Sequence, residues 1–176
     1  MNYNKPEKLC IETAQSIQLL LLDVDGVLTD GRLLFSNTGE ELKAFSTLDG
    51  HGIKMLMQCG IEVGIITGRN SQLVENRARD LGIQILVQGR EDKAVALDEI
   101  LEGSSINKQS ICYIGDDFPD LSVMRVVGLS VSVPNGHPDV ISAACMTTTR
   151  HGGAGAVREV TDYLLQAKGL YNKFLE

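Results

Sequence analysis

Short, continuous apolar runs alternate along the chain with longer amphipathic stretches. The apolar runs predict strands that are covered on both faces, because they contain no regular polar alternation. These runs are Ile17–Leu22, Ile61–Ile66, Ile83–Val87, Ile111–Ile114 and Leu129–Val133. The stretches between them predict helices at Gly52–Gln58, Ser71–Leu81, Asp92–Leu101 and Leu121–Val126. Strands that alternate with helices in this way predict a doubly wound, mostly parallel α/β sheet of Rossmann-like type.

Two segments depart from the alternation. Residues from about 32 to 47 predict a β-hairpin, because Arg32–Ser36 and Leu42–Thr47 flank a turn-forming segment that contains Asn37 and Gly39. Residues from about 150 to 176 begin with a glycine-rich segment, Gly152–Gly155, and continue into a predicted helix from Ala156 to about Ala167. No linker interrupts the pattern, so we expect a single domain over residues 1–176.

Composition and charge exclude several classes of protein. Hydrophobic residues make up 43% of the 176 residues, which is enough for a core and argues against disorder. A formal charge of −7 argues against nucleic acid and anionic membrane surfaces as partners. Four cysteines outside any metal-binding spacing predict reduced, mostly buried thiols. The chain has no apolar stretch of membrane-spanning length and no signal-peptide pattern in Met1–Gln18, so we expect a cytoplasmic protein.

Polar residues follow the predicted strands at the points where ligands bind in parallel sheets. Asp23 and Asp25 follow the first strand, Thr67 the second, and Asp116 and Asp117 the fourth, with Asp120 shortly behind; Lys93 begins a helix. Two carboxylates about 4 Å apart repel by ~4 kcal/mol at an effective dielectric constant near 20. Such a cluster takes up protons or binds a cation, and oxygen ligands without His or Cys favour Mg²⁺.

Each of these residues also has an ordinary structural interpretation when it is read alone. An Asp marks a turn or caps a helix, Thr67 fits a helix cap as well as a phosphate cradle, and a lysine in a first helical turn is usually solvated. Paired acids, a Thr, a Lys and a second acidic pair all fall at strand ends or helix starts. This conjunction favours a functional site over a set of independent caps and turns.

These residues resemble the four motifs of the haloacid dehalogenase superfamily of phosphohydrolases. The matching segments are Asp23–Thr29, Thr67, Lys93 and Gly115–Asp117, in that order. The resemblance implies a Mg²⁺-dependent phosphomonoester hydrolase in which Asp23 is the nucleophile and forms an aspartyl-phosphate. It further implies that Asp25 is the general acid and base, and that Thr67 and Lys93 hold the phosphoryl oxygens. Mg²⁺ would be bound by Asp23, the backbone carbonyl of Asp25, and Asp116, with Asp117 supporting them.

The intervals between the motifs are too short for a separate cap domain. The hairpin, a helix and a strand fill the interval from Asp25 to Thr67, and the interval from Thr67 to Lys93 is shorter still. A phosphatase without a cap leaves its site open to water. A macromolecular substrate suits such a site, whereas a small substrate needs a neighbouring subunit to close it.

Within the superfamily, the chain is similar to the phosphatases of 3-deoxy-D-manno-octulosonate 8-phosphate, which act in lipopolysaccharide synthesis. That resemblance implies a small anionic sugar phosphate as substrate and a homotetramer assembled through the hairpins. It places the substrate contacts on Asp25, Ser46, Thr47, Leu48, Asp49, Gly50, Lys54, Arg69, Arg77 and Lys93. Three positions depart from the family pattern, because Leu48 and Lys54 replace arginines and Ala154 replaces a basic residue.

Three other functions fit parts of the sequence. Phosphatases of nine-carbon sugar acids, such as acylneuraminate 9-phosphate, share the motifs, although a chain without an attached synthetase domain favours the eight-carbon acid. A signalling receiver domain has a similar acidic pocket, but its acidic pair, phosphoacceptor Asp, Thr and Lys come in a different order. A catalytically silent oligomeric scaffold is disfavoured because the chain retains every residue that the chemistry needs.

Overall fold

The computed structural model, which describes residues 1–176, is a mixed sheet with helices on both faces and a separate hairpin. The nine strands are β1 (Asn2–Tyr3), β2 (Leu19–Leu22), β3 (Leu34–Phe35), β4 (Glu41–Leu42), β5 (Glu62–Ile66), β6 (Ile85–Val87), β7 (Ile111–Ile114), β8 (Leu129–Ser132) and β9 (Met146–Thr147). The seven α-helices are α1 (Glu7–Ser16), α2 (Thr47–Gln58), α3 (Gln72–Leu81), α4 (Lys93–Leu101), α5 (Leu121–Met124), α6 (Pro138–Ala143) and α7 (Ala156–Ala167).

The main sheet has seven strands in the order β1-β9-β8-β7-β2-β5-β6. Every neighbouring pair runs parallel except β1 and β9. Leu22 at the end of β2 pairs in register with Ile65 of β5 and with Ile114 of β7. The three central strands therefore end at one edge of the sheet, and the loops that follow them are brought together there. The predicted fold class is confirmed.

The core lies on both faces of the sheet, as the continuous apolar strands require. Leu20 and Leu22 of β2 pack into a larger cluster with α1, α2, α3 and α7. Leu19 and Leu21 point to the opposite face and pack with α4, α5 and α6. All four leucines are at most 1% exposed. Because successive side chains on a strand point to opposite faces, one run of four leucines anchors both layers of helices.

The hairpin is present but shorter than predicted. It consists of β3 and β4, in which Leu34 pairs with Leu42 and Phe35 with Glu41. The predicted strand over Leu42–Thr47 is wrong, because Thr47 is the first residue of α2. The side chain of Ser46 caps that helix by accepting a hydrogen bond from Asp49 N at 3.4 Å. A serine at this position satisfies a free backbone N–H of the first helical turn, which ends the extended segment.

Several elements lie outside the predicted pattern. The helices α1 and α6 and the two-residue strands β1 and β9 were not predicted from the sequence. The remaining predicted strands and helices are confirmed to within a few residues at their ends, except that α2 begins at Thr47 and not at the predicted Gly52. All four cysteines are free, and Cys10, Cys112 and Cys145 are buried, as expected. None of the helices has the length and apolar character that crossing a membrane requires.

Candidate active site

Four loops meet at the carboxyl edge of the sheet. Asp23 directly follows β2, Thr67 directly follows β5, and Asp116 lies two residues beyond β7, while Lys93 is the first residue of α4. Between them is a cavity of about 360 Å³ without a hydrophobic lining residue. Its lining consists of Asp23, Asp25, Gly31, Thr67, Gly68, Arg69, Glu91, Lys93, Asp116, Asp117, Pro119 and Asp120.

The loop after β2 is a tight turn around one carbonyl group. Val24 O accepts hydrogen bonds from the backbone N–H groups of Val27, Leu28 and Thr29, at 3.3, 2.9 and 3.0 Å. Gly26 has a φ of +104°, and a Cβ added there would lie 2.0 Å from Asp116 Oδ2. Only glycine meets both conditions, because other residues avoid this backbone region and carry a Cβ. Gly26 thus brings the loop against the Asp116 carboxylate.

Lys93 lies between two carboxylates. Its Nζ donates hydrogen bonds to Asp23 Oδ1 and to Asp120 Oδ1, each at 2.6 Å. Lys93 is 4% exposed and Asp23 is 7% exposed. Burial lowers the pKa of Lys93, but the attraction of the two carboxylates outweighs it and leaves that pKa raised. Lys93 is therefore a fixed positive charge at the floor of the cavity.

Asp120 organises the loop that follows β7. Its Oδ1 also accepts a hydrogen bond from Tyr113 OH at 2.6 Å, and its Oδ2 accepts from Asp116 N at 2.9 Å and Asp117 N at 3.0 Å. The Asp117 side chain caps a short 3-10 helix instead, by accepting from Phe118 N at 2.8 Å. The family resemblance implies a supporting role for Asp117. In the structure, the buried carboxylate that holds the acidic loop is Asp120.

The acidic cluster has the charge and geometry for a hard cation. Carboxylate oxygens of Asp23, Asp116 and Asp120 lie within 4.8 Å of one another. Burial and the neighbouring carboxylates raise the pKa of Asp116 to about 8. Burial also raises the pKa of Asp23 to about 6, although Lys93 opposes the shift. Lys93 alone does not balance three carboxylates, so this set of oxygen donors fits a divalent cation such as Mg²⁺.

Two hairpin residues that were not predicted from the sequence contact side chains that line the cavity. Lys43 donates a hydrogen bond to Asp25 Oδ1, and its side chain is 2% exposed. Glu41 accepts hydrogen bonds from Arg69 Nη2 at 3.1 Å and from Ser71 Oγ at 2.9 Å. The alternation of Glu41, Leu42 and Lys43 is a signal that could have found them, because it places both charged residues on one side of an extended segment.

The predicted substrate residues do not lie in one place within the chain. Asp25, Arg69 and Lys93 line the catalytic cavity, whereas a separate cavity of about 220 Å³ is lined by Thr47, Gly50, His51, Lys54, Arg77 and Leu81. Leu48 lines a third cavity of about 730 Å³ beside Arg150 and Arg158.

Two further contacts involve residues of the predicted substrate segment. Ser46 O accepts a hydrogen bond from Arg77 Nη2 at 3.1 Å. Asp49 is 1% exposed, and its Oδ1 accepts from Arg158 N at 2.7 Å. Burial raises the pKa of Asp49. Asp49 thus joins the first turn of α2 to the first turn of α7, and it lines none of the three cavities.

The glycine-rich segment packs against the loop that carries Asp23. The side chain of Asn135 donates to Gly26 O at 2.9 Å and accepts from Gly152 N at 2.8 Å. Gly153 N donates to Val27 O at 3.0 Å. A Cβ at Gly152 would lie 1.7 Å from Gly26 O, so this close approach also requires glycine. The segment is a support of the catalytic loop and leads directly into α7.

Comparisons with known proteins agree with this geometry. Residues 83–160 match the sequence model of the haloacid dehalogenase-like hydrolases. The 3-deoxy-D-manno-octulosonate 8-phosphate phosphatase KdsC of Escherichia coli K12 is 50% identical over 159 residues, which are 90% of this chain and 85% of that protein.

Two solved structures are similar over almost the whole chain. The crystal structure of the same phosphatase from Yersinia pestis is 47% identical, has a TM-score of 0.91 and covers 93% of this chain and 89% of its own. The enzyme from Moraxella catarrhalis, crystallised with a magnesium ion, a phosphate ion and a KDO molecule, is 40% identical and has a TM-score of 0.94. That alignment covers 97% of this chain and 98% of the other.

Proposed function

Because the chain belongs to the 3-deoxy-D-manno-octulosonate 8-phosphate phosphatases of the haloacid dehalogenase superfamily, we propose that it hydrolyses this sugar phosphate with Mg²⁺ as cofactor. The observation that carries the proposal is the placement of Asp23. Its carboxylate lies at the floor of a polar cavity, is hydrogen-bonded to Lys93, and shares a cation-sized cluster with Asp116.

Asp23 is the nucleophile in the proposed reaction. One of its carboxylate oxygens forms a bond to phosphorus while the bond from phosphorus to the sugar oxygen breaks. Asp25 gives a proton to the departing sugar oxygen and later takes one from the water that attacks the aspartyl-phosphate. Release of inorganic phosphate returns both carboxylates to their starting state. Asp25 lines the same cavity as Asp23, which supports this division of roles.

The approach of an anionic nucleophile to an anionic phosphate needs positive charge. Lys93 supplies one fixed charge, and buried Thr67 adds a hydroxyl at the edge of the cavity. Thr67 Oγ1 already accepts a hydrogen bond from Arg69 N at 3.5 Å, so the loop after β5 directs polar groups into the cavity. The side chains of Asp23 and Asp116 and the backbone carbonyl of Asp25 would hold Mg²⁺. When bound, the ion would neutralise charge on the phosphoryl oxygens.

A neighbouring subunit completes the substrate site in this proposal. The cavity that contains Lys54 and Arg77 shares no lining residue with the catalytic cavity, which supports assigning the two cavities to substrates of different subunits. The hairpin offers a surface for assembly, because Leu34, Phe35 and Leu42 are 51%, 58% and 57% exposed. We assign the second cavity to the sugar acid of a substrate bound at the adjacent subunit of a homotetramer. We also place the enzyme in the cytoplasm.

Phosphate release from a panel of sugar phosphates tests the function. With Mg²⁺, we expect kcat/KM for 3-deoxy-D-manno-octulosonate 8-phosphate to exceed that for glucose 6-phosphate by at least ~10-fold, because glucose 6-phosphate lacks the carboxylate and a lost hydrogen bond to a charged group costs about 1.5–3 kcal/mol. We expect it also to exceed kcat/KM for acylneuraminate 9-phosphate, which keeps the carboxylate but has a longer carbon chain and an acylamino group. The variant Asp23→Asn should keep the fold and lose turnover. A flat profile would refute the substrate assignment, and turnover by Asp23→Asn would remove Asp23 as nucleophile.

The role of the second cavity has a separate test. Lys54→Ala and Arg77→Ala should lower kcat/KM for the sugar acid phosphate more than for p-nitrophenyl phosphate, which lacks the sugar carboxylate. Lys8→Ala is the matched control, because the Lys8 side chain is 89% exposed and lies on α1. Equal losses on both substrates would show that Lys54 and Arg77 do not recognise the sugar acid.

A further inference from the structure

Two charged side chains of the hairpin point toward the catalytic cavity, while the residue between them points away from it. Leu42 is 57% exposed, whereas the side chains of Glu41 and Lys43 are 18% and 2% exposed. This is the alternation of an extended segment. One side of the segment belongs to the site, and the other side belongs to the exposed apolar surface of the hairpin.

Four charged groups form a closed network at this position. Lys43 Nζ donates to Asp25 Oδ1 and lies 3.6 Å from Glu41 Oε1. Arg69 Nη2 donates to the same Glu41 oxygen at 3.1 Å, and Arg69 Nε lies 3.8 Å from Asp25 Oδ2. The carboxyl groups of Asp25 and Glu41 thus face the same two cations, and Glu41 holds both cations in place.

The two oxygens of Asp25 are held unequally. Oδ1 is hydrogen-bonded to a nearly fully buried ammonium group, whereas Oδ2 lies 3.8 Å from Nε of the half-exposed Arg69. A buried lysine is costly unless it is paired, so the Lys43 contact is a strong restraint on the orientation of the carboxylate. Oδ2 is the oxygen that stays available to a group in the cavity.

We propose that Lys43 is a positioning residue for the acid and base of the reaction, and that it fixes Asp25 so that Oδ2 exchanges the proton with the substrate. The inference rests on the proposed function of Asp25. In the first step, Oδ2 gives its proton to the sugar oxygen as the bond to phosphorus breaks. In the second step, Oδ2 takes a proton from water as the water oxygen bonds to the phosphorus of the aspartyl-phosphate.

A comparison of leaving groups isolates this role. The sugar oxygen leaves as an alcohol and needs a proton, whereas p-nitrophenolate is a stable anion that leaves without one. Because kcat/KM reports steps up to the first irreversible one, it separates formation of the aspartyl-phosphate from its hydrolysis. We expect Lys43→Met to lower kcat/KM for the sugar phosphate by about 10- to 100-fold, and that for p-nitrophenyl phosphate by less than ~3-fold.

Conservative and control variants separate positioning from folding. Lys43→Arg keeps the positive charge, and its guanidinium also donates to a carboxylate. Its kcat/KM for the sugar phosphate should therefore be at least ~10-fold higher than that of Lys43→Met. Glu41→Gln should show the same substrate-dependent loss in weaker form. Arg32→Met and Glu40→Gln are exposed controls on the hairpin segment and should match the wild-type chain on both substrates.

Two outcomes would overturn this inference and leave the proposed function intact. Equal losses on both substrates, in a variant whose melting temperature and oligomeric state match the wild type, would place Lys43 in phosphate binding. No loss on either substrate would remove it from the mechanism. If Lys43→Met does not fold, the ratio of the two substrates in Glu41→Gln decides in the same way. A wild-type chain that hydrolyses neither substrate would instead refute the proposed function, and this inference with it.

Discussion

Asp120 should be the most costly acidic residue of the site to neutralise. Its two oxygens accept four hydrogen bonds, from Lys93 Nζ, Tyr113 OH, Asp116 N and Asp117 N, at 2.6–3.0 Å. Asp120→Asn keeps the size of the side chain but leaves one acceptor oxygen. At least two of the four donors then lose their partner, and each buried loss costs about 1–3 kcal/mol. We expect the free energy of unfolding to fall by about 3–5 kcal/mol, the usual cost of breaking a buried ion pair.

Urea unfolding at a single protein concentration measures this cost, since assembly makes stability depend on concentration. For a chain of this length, the same loss should lower the melting temperature by roughly 6–20 °C. Asp117→Asn is the matched control: it lies in the same loop, is exposed, and uses its side chain as a helix cap. Asn caps a helix about as well as Asp, so the control should lie within ~0.5 kcal/mol of the wild type. Similar stabilities of the two variants would refute the organising role of Asp120.

Three other changes test further contacts. Gly152→Ala should cost at least about 3 kcal/mol and lower kcat, because its Cβ would lie 1.7 Å from Gly26 O. Gly39→Ala is the control, because a Cβ at Gly39 meets no atom within 4 Å and the change should cost only the ~1–2 kcal/mol of a left-handed backbone. Equal losses of stability in the thermal unfolding of the two variants would contradict this argument. Tyr113→Phe should lose about 1.5–3 kcal/mol, the value of a hydrogen bond to a charged group, and no loss in urea unfolding would exclude that bond. Burial raises the pKa of Glu159, but hydrogen bonds from Thr149 N and Arg150 N outweigh it and leave the pKa lowered. A carboxyl group with a lowered pKa in the folded state stabilises the fold at pH values above its unfolded pKa, near 4.5. This stabilisation is lost as the pH falls through the folded pKa. The stability difference between wild type and Glu159→Gln should therefore be larger at pH 7 than at pH 3, and a difference independent of pH would contradict the assignment.

The sheet and the acidic motifs could be predicted because their signals are local. Each central strand is a continuous apolar run, and each motif residue directly follows such a run or begins a helix. The helix α1 was missed because its composition is mostly polar, with Cys10 and Ala14 as its buried residues. The start of α2 was missed because Ser46 has the same extended backbone as the strand residues before it.

The predicted substrate segment shows why adjacency in sequence does not ensure adjacency in a site. Thr47, Leu48, Asp49 and Gly50 lie in the first turn of a helix, where successive side chains point about 100° apart. Consequently, Thr47 and Gly50 line one cavity, Leu48 lines another, and Asp49 is buried. Lys43 was not predicted, and Asp120 was placed with the acidic cluster but without its organising role, for a related reason. Their roles come from contacts with distant residues, such as Lys93, that no local pattern records.

The packing of Gly152 on the catalytic loop has a consequence for synthesis of the chain. Gly152 is added 129 residues after Asp23 (152 − 23). At about 5–20 residues per second, this is roughly 6–26 s of translation. Throughout that interval, the emerging Asp23 lacks the segment that holds its loop in shape. The proposed nucleophile is thus made early, but a ribosome-bound chain completes the loop around it only after most of the sequence has been translated.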